Sequence, residues 1–182
     1  MKMKKVFSLG VVICALCCLF TISAFAVNES TDNEVGIIIE DVEEHLINNP
    51  YLLEANPYIN YANRAATVIN LNSQTDTLNI GTMSANATYT TNIYNTPNGK
   101  IRIALESYSH AAKHLKVTLY KSGTSVSVAE STLSLPTANP AGGSTGKAIT
   151  FTNLTSANNY YAIIKNVDTI TTGSISGMVK KG

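Results

Sequence analysis

Residues Asn98–Lys121 read NGKIRIALESYSHAAKHLKVTLYK, and this stretch decides the fold class. Ile101, Ile103 and Leu105 alternate with Arg102, Ala104 and Glu106; Leu115, Val117 and Leu119 alternate with Lys116, Thr118 and Tyr120. Side chains on a strand point to opposite faces with period two, so each run has one apolar and one wetter face. Two such runs joined by a short polar loop predict antiparallel neighbours that cover a common core. No catalytic motif lies in the stretch.

The pattern continues outward. From Ala66 on, charged residues thin out and Thr, Ser, Asn, Val and Ile dominate. Strand-like runs are predicted at Thr67–Leu71, Thr77–Ile80, Thr88–Tyr94, Lys100–Ser107, Leu115–Lys121, Ser125–Glu130, Ala148–Thr152, Tyr160–Asn166 and Gly173–Val179. Turn formers separate them: Thr96-Pro97-Asn98-Gly99, Lys121-Ser122-Gly123, Asn139 to Gly143 and Ser156 to Asn159. Many short strands with no helical interruption predict a mostly β domain, an antiparallel β-sandwich of Greek-key or jelly-roll type. The Pro- and Gly-rich loop from Pro136 to Gly146 is expected to be a long connection crossing between sheets.

Residues 1–26 have the layout of a secretory leader. Lys2, Lys4 and Lys5 precede an apolar run from Val6 to Phe20 that is too short for a good membrane span. Ala24 and Ala26 then give the small-x-small pattern for a cut before Val27. All three cysteines (Cys14, Cys17, Cys18) lie in the leader, so the mature chain has no disulfide or thiolate chemistry. The expectation is a bacterial protein, secreted and extracellular or held at the cell surface, with no transmembrane anchor once cut. A cysteine-free body must hold itself together by burial, which a domain of about 150 residues can do.

Eight of the twelve acids fall between residues 27 and 65, where Arg64 is the lone base; residues 66–182 carry nine bases and four acids. Three segments follow: leader 1–26, an acidic segment 27–65, and the β domain 66–182. Thr31 and Glu34 have capping-box spacing, and Val35, Ile38, Ile39, Val42 and Leu46 form a stripe at helical spacing. With Asn48-Asn49-Pro50 as the stop, a short acidic helix is predicted from about Asp32 to Ile47. Asn49-Pro50-Tyr51-Leu52 and Asn56-Pro57-Tyr58-Ile59 follow as a packed connector. The acidic-then-basic order also fits a pro-segment removed to release the β domain.

Phe151 to Ile163 runs from an aliphatic residue, Leu154, through a polar turn to Tyr160 and Tyr161 at the start of a strand. That is the pattern of a tyrosine corner, in which a phenol bonds back to the turn's backbone. Either tyrosine fits the role, and the role is structural. The strand opened by Asn98-Gly99-Lys100-Ile101, the strand Leu115 to Tyr120 running into Lys121-Ser122-Gly123, and the Phe151–Ile163 corner occur in that order. Over roughly residues 85–180 this resembles the bacterial pre-peptidase C-terminal domain. The resemblance implies a secreted, non-catalytic accessory or adhesion-type sandwich. Where that family's strand alternates aspartates with aliphatics, this chain has Lys116 and Thr118, so the carboxylates that calcium needs are missing.

Other chemistry finds little support. Glu106, His110 and His114 are spaced four apart, but they fall where strand alternation gives way to a loop, and Ala111 breaks the His-Glu-x-x-His pattern. They read as solvated loop histidines. No Gly-x-Ser-x-Gly elbow occurs, although a triad assembled from distant residues is left open. The predicted cofactors and metals are none. Nucleic acid is not expected as a partner, because the basic excess is modest and not interleaved with aromatics. The surface residues singled out for ligand contact are Tyr108, His110, His114 and Tyr120. The leading expectation is a non-enzymatic binding or structural module whose partner is a cell-surface polymer or another protein. The alternatives are a toxin or bacteriocin-like factor freed from an acidic pro-segment, and a hydrolase with an unrecognised site. Exposed sheet edges give a further expectation, recruitment of a strand from a neighbouring chain.

Overall fold

The computed structural model describes residues 34–42, 67–107, 113–135 and 145–182. All of these belong to one unit, Glu34–Gly182. They form eleven strands: β1 (Gly36–Val42), β2 (Val68–Asn70), β3 (Asp76–Gly81), β4 (Thr88–Thr90), β5 (Ile93–Asn95), β6 (Ile101–Ser107), β7 (Lys113–Lys121), β8 (Ser127–Leu135), β9 (Thr145–Thr152), β10 (Asn159–Asn166) and β11 (Ile175–Lys181). No helix occurs among the described residues. The leader cut at Ala24, Ala26 and Val27, the Asn-Pro-Tyr connector, Tyr108 and His110 lie outside them.

Two sheets hold the strands. The first runs β1-β9-β6-β11-β3 and is antiparallel throughout; the second runs β2-β5-β10-β7-β8, with β4 also against β10. In the second sheet only the short β2–β5 pair is parallel. Both sheets feed one core. Leu78, Ile103, Leu105, Ile149, Phe151 and Val179 from the first meet Tyr94, Leu115, Val117, Leu119, Leu133 and Ile164 from the second.

The two runs of the opening stretch, β6 and β7, do share that core, but they are not paired neighbours. β6 pairs with β9 and β11, whereas β7 pairs with β8 and β10. Period-two alternation states which face of a strand is apolar; it does not state which edge bonds to which strand. Here β6 and β7 contribute their apolar residues to the same core from different sheets.

Most connections behave in the same way. β5 to β6, β8 to β9, β9 to β10 and β10 to β11 all pass from one sheet to the other. The Thr96–Gly99 turn is one of these crossings, closed by the Gly99 amide donating to the Thr96 carbonyl at 3.0 Å. Gly99 has φ +69°, and a Cβ there would lie 2.8 Å from the Leu154 carbonyl oxygen. Its own carbonyl accepts from the Leu154 amide at 2.9 Å. Glycine is required here by both backbone sign and space. Within the second sheet, Lys121-Ser122-Gly123 makes the β7–β8 hairpin, with Gly123 at φ +81°.

The predicted run Thr88–Tyr94 is broken into β4 and β5, both against β10. At the break the Thr91 hydroxyl accepts from the Ala162 amide at 2.9 Å, and the Thr91 amide donates to the Ala162 carbonyl at 3.0 Å. A side chain thus stands in for a ladder bond, which satisfies the β10 backbone.

The expected N-terminal helix is overturned over part of its span. Gly36–Val42, read as part of a helix in a separate acidic segment, is strand β1, paired with β9 from Gly36↔Thr152 to Val42↔Gly146. Glu34 and Val35 precede the strand without regular structure, and residues 32–33 and 43–47 of that span lie outside the described residues. The helical stripe existed, but Val35, Ile37 and Ile39 form an equally apolar alternating set. Three consecutive isoleucines are stiff at χ1 and favour a pleated surface over a helix. Tertiary pairing completes the choice: Glu40 meets Arg102 at 2.7 Å and Asp41 meets Lys147 at 2.8 Å.

Candidate binding face

β7 buries Leu115, Val117 and Leu119, so by alternation His114, Lys116, Thr118 and Tyr120 face away from the core. β10 buries Tyr160, Ala162 and Ile164 and turns Tyr161, Ile163 and Lys165 outward. β8 adds Glu130, Thr132 and Ser134, which pair with Thr118, Lys116 and His114. The outer face of this half of the second sheet is therefore mostly polar, with Ile163 near its middle and Tyr120 and Tyr161 at one end.

Tyr120 and Tyr161 are directly opposed in the β7–β10 register, and their rings stack with centroids 5.3 Å apart at 14°. Both are half-buried. Aromatic pairs across antiparallel strands stabilise the sheet by a few tenths of a kcal/mol to about 1 kcal/mol. Each ring gives one face to the other, leaving its remaining face, edges and hydroxyl for other contacts.

Further along, Lys116 Nζ lies 2.7 Å from Glu130 Oε2, and the Thr118 hydroxyl donates to the same oxygen at 3.4 Å. The hydrogen bond from Lys116 holds the Glu130 carboxyl below its usual range. This pair is solvated and is worth little to stability. Its effect is to neutralise Lys116 on one side, while Lys165 lies opposite Lys116 on the other and adds a second positive charge to the face.

The far end is built by His114, which is exposed but lies in strand β7 and not in a loop. Its ring Nδ1 is 2.8 Å from Asp168 Oδ1, and its backbone amide donates to Asp168 Oδ2 at 2.9 Å. Asp168 is held in turn by its amide donating to Asn166 Oδ1 at 3.0 Å. Burial alone pushes the Asp168 carboxyl up. The His114 amide and ring, and then the charges of His114 and Lys113, outweigh it and hold the carboxyl below the usual carboxylate range. Lys113 points the other way, buried, with Nζ donating to the Thr171 carbonyl at 3.2 Å.

With Nδ1 engaged by a carboxylate, the His114 ring is oriented as a base would be in a hydrolase. Ser134 is its cross-strand partner, yet no hydrogen bond joins the two among the described residues. The contact that would make Ser134 a nucleophile activated by His114 is therefore not formed between these two residues. Nor does any group of three or more His, Cys, Asp or Glu come together among the described residues.

Of the residues singled out in sequence, His114 and Tyr120 come onto one face of one strand. They are separated by six residues, or about 20 Å of strand. Tyr160 and Tyr161 separate. The Tyr160 phenol oxygen accepts from the Thr155 amide at 3.0 Å and donates to the Thr155 carbonyl at 3.2 Å. Tyr161 instead belongs to the outer face. Sequence reasoning missed Asp168, which is 54 positions from His114 and has no spacing signal. It also missed Tyr161 as a surface residue, which the alternation from Tyr160 would have indicated.

No family model, curated protein or solved structure matches this chain.

Proposed function

We propose that the protein is a secreted, non-catalytic β-sandwich of Greek-key or jelly-roll type that binds an extracellular partner through the outer face of its second sheet. The stacked, half-exposed Tyr120–Tyr161 pair carries this reading. Tyrosines supply large, rigid contact area together with a hydroxyl, and they are enriched where surfaces bind partners. Lys116, Glu130, Lys165 and Thr132 place hydrogen-bonding and charged groups further along the same face. An open sheet face suits a polymer chain or another protein's surface better than an enclosed small molecule. The crossing connections and shared core of the two sheets support the sandwich. The leader pattern of residues 1–26 supports export, and the likeness to the pre-peptidase C-terminal domain supports an accessory role.

The test is sedimentation of the purified protein with isolated cell-wall polysaccharide and with whole cells of the producing species. Tyr120→Ala/Tyr161→Ala should lose binding by tenfold or more while keeping a β-type circular dichroism spectrum. Unchanged binding by that variant would remove the face from consideration.

A further inference from the structure

We propose that β1 is an exchangeable strand: the β9 edge accepts residues Gly36–Val42 either from its own chain or from a second copy, so the protein assembles by strand swapping. The inference is independent of the binding face. It begins with a specific address. All seven residues of β1 pair with β9 without a bulge. The acids of the strand meet the bases of the sheet that receives it: Glu40 with Arg102 at 2.7 Å and Asp41 with Lys147 at 2.8 Å. At the entry end, Asn153 Nδ2 donates to the Glu34 carbonyl at 3.2 Å. Charge complementarity together with register specifies this segment and no other acidic strand among the described residues.

The anchoring is light. Ile37 and Ile39 pair with Phe151 and Ile149, which are fully buried, yet they remain 39% and 43% exposed themselves; Ile38 is 54% exposed. Both ion pairs are at the surface, where such contacts contribute little and are screened by salt. Leaving the sheet therefore costs β1 less than it would cost a core strand such as β6.

The vacancy left behind is less tolerable. Without β1, the Thr145–Thr152 edge would offer unpaired backbone groups directly above Ile149 and Phe151. Bare edges of that kind recruit another strand. The strand that fits best is the β1 of a second copy, because swapping re-forms every bond and ion pair of the closed form. Reach is no obstacle. β1 connects to β2 through residues 43–66, and a segment of that length spans on the order of 80 Å when extended.

Trapping by disulfide tests this directly. Ile38 and Thr150 are opposed in the β1–β9 register, on the side away from the core. Single-cysteine versions of the full chain, Ile38→Cys and Thr150→Cys, are prepared with Cys14, Cys17 and Cys18 replaced by alanine. They are mixed at high concentration and oxidised. A covalent heterodimer requires the β1 of one chain to sit on the β9 of the other. The Ile38→Cys chain mixed with Ser134→Cys, a position on the second sheet, measures chance collision. Ile38→Cys/Thr150→Cys in one chain calibrates the pair by closing on itself at high dilution. The expected result is at least fivefold more heterodimer than the collision control, rising with protein concentration and further after a cycle of partial unfolding. A yield equal to the collision control at every concentration, while the double variant closes efficiently, overturns the proposal.

Discussion

The Tyr94 hydroxyl donates to the Asp76 carboxylate at 2.7 Å, joining β5 of the second sheet to β3 of the first. Asn92 Nδ2 donates to the same oxygen at 3.0 Å. Tyr94 is fully buried, so its polar tip needs a partner, and Asp76 at the edge of the core supplies one. Burial first, then the Asp76 charge and the hydrogen bond to it, push the Tyr94 phenol well above its ordinary range.

A raised folded-state value stabilises the fold fully below the unfolded tyrosine value, about pH 10, and the benefit is lost as pH climbs beyond it. Tyr94→Phe should unfold with about 1–2 kcal/mol less stability at neutral pH. The gap between wild type and variant should close as pH rises past about 10. Urea unfolding at pH 7 and at pH 11 measures both; a gap that widens in alkali would contradict the assignment.

Tyr160 and Tyr161 make a matched contrast. Tyr160→Phe removes both bonds to Thr155 and leaves that amide without its phenol partner, so it should cost about 1–2 kcal/mol. Tyr161→Phe keeps the stacked ring and should stay within about 0.5 kcal/mol of wild type. Thermal melts of the two single variants decide the matter.

Asp168 governs an acid limb. Its folded-state value lies below the unfolded one, so its contribution is complete above about pH 4 and fades as pH falls through the folded value. Asp168→Asn should be less stable at pH 6 and should lose part of the wild-type decline between pH 4 and 2. Unfolding midpoints collected from pH 2 to 6 give the comparison.

Ser176 Oγ is buried without a hydrogen-bond partner among the described residues. Replacing such a hydroxyl by alanine removes an uncompensated polar group, which is worth about 1 kcal/mol or more. Ser176→Ala should therefore melt about 2–4 °C higher than wild type. A lower melting point would show that the hydroxyl has a partner in solution.

The strands of the β body are legible because their periodicity is strict. Leu115, Val117 and Leu119 are apolar at every second position and are all fully buried. Strand partners are not legible, since β6 and β7 follow one another in the chain yet belong to different sheets. Alternation encodes faces, whereas partners depend on which turns cross the core. β1 shows a second limit: one apolar set, Val35, Ile38, Ile39 and Val42, fits a helix, another fits a strand, and only the waiting β9 edge separates them. At the candidate face, Tyr120 could be placed by counting from Leu119. The His114–Asp168 contact could not, because it joins residues far apart in the chain through a turn that leaves no compositional mark.

The order of strands in the first sheet has a consequence for timing. β11, the last of the eleven in chain order, sits between β6 and β3 and is the sole partner of β3 among the described residues. While a ribosome is still making the chain, β3 has no neighbour and one edge of β6 stays bare, whatever has already emerged. Pairings between such distant residues form slowly. The first sheet therefore cannot close around β3 until Lys181 has been added to the chain.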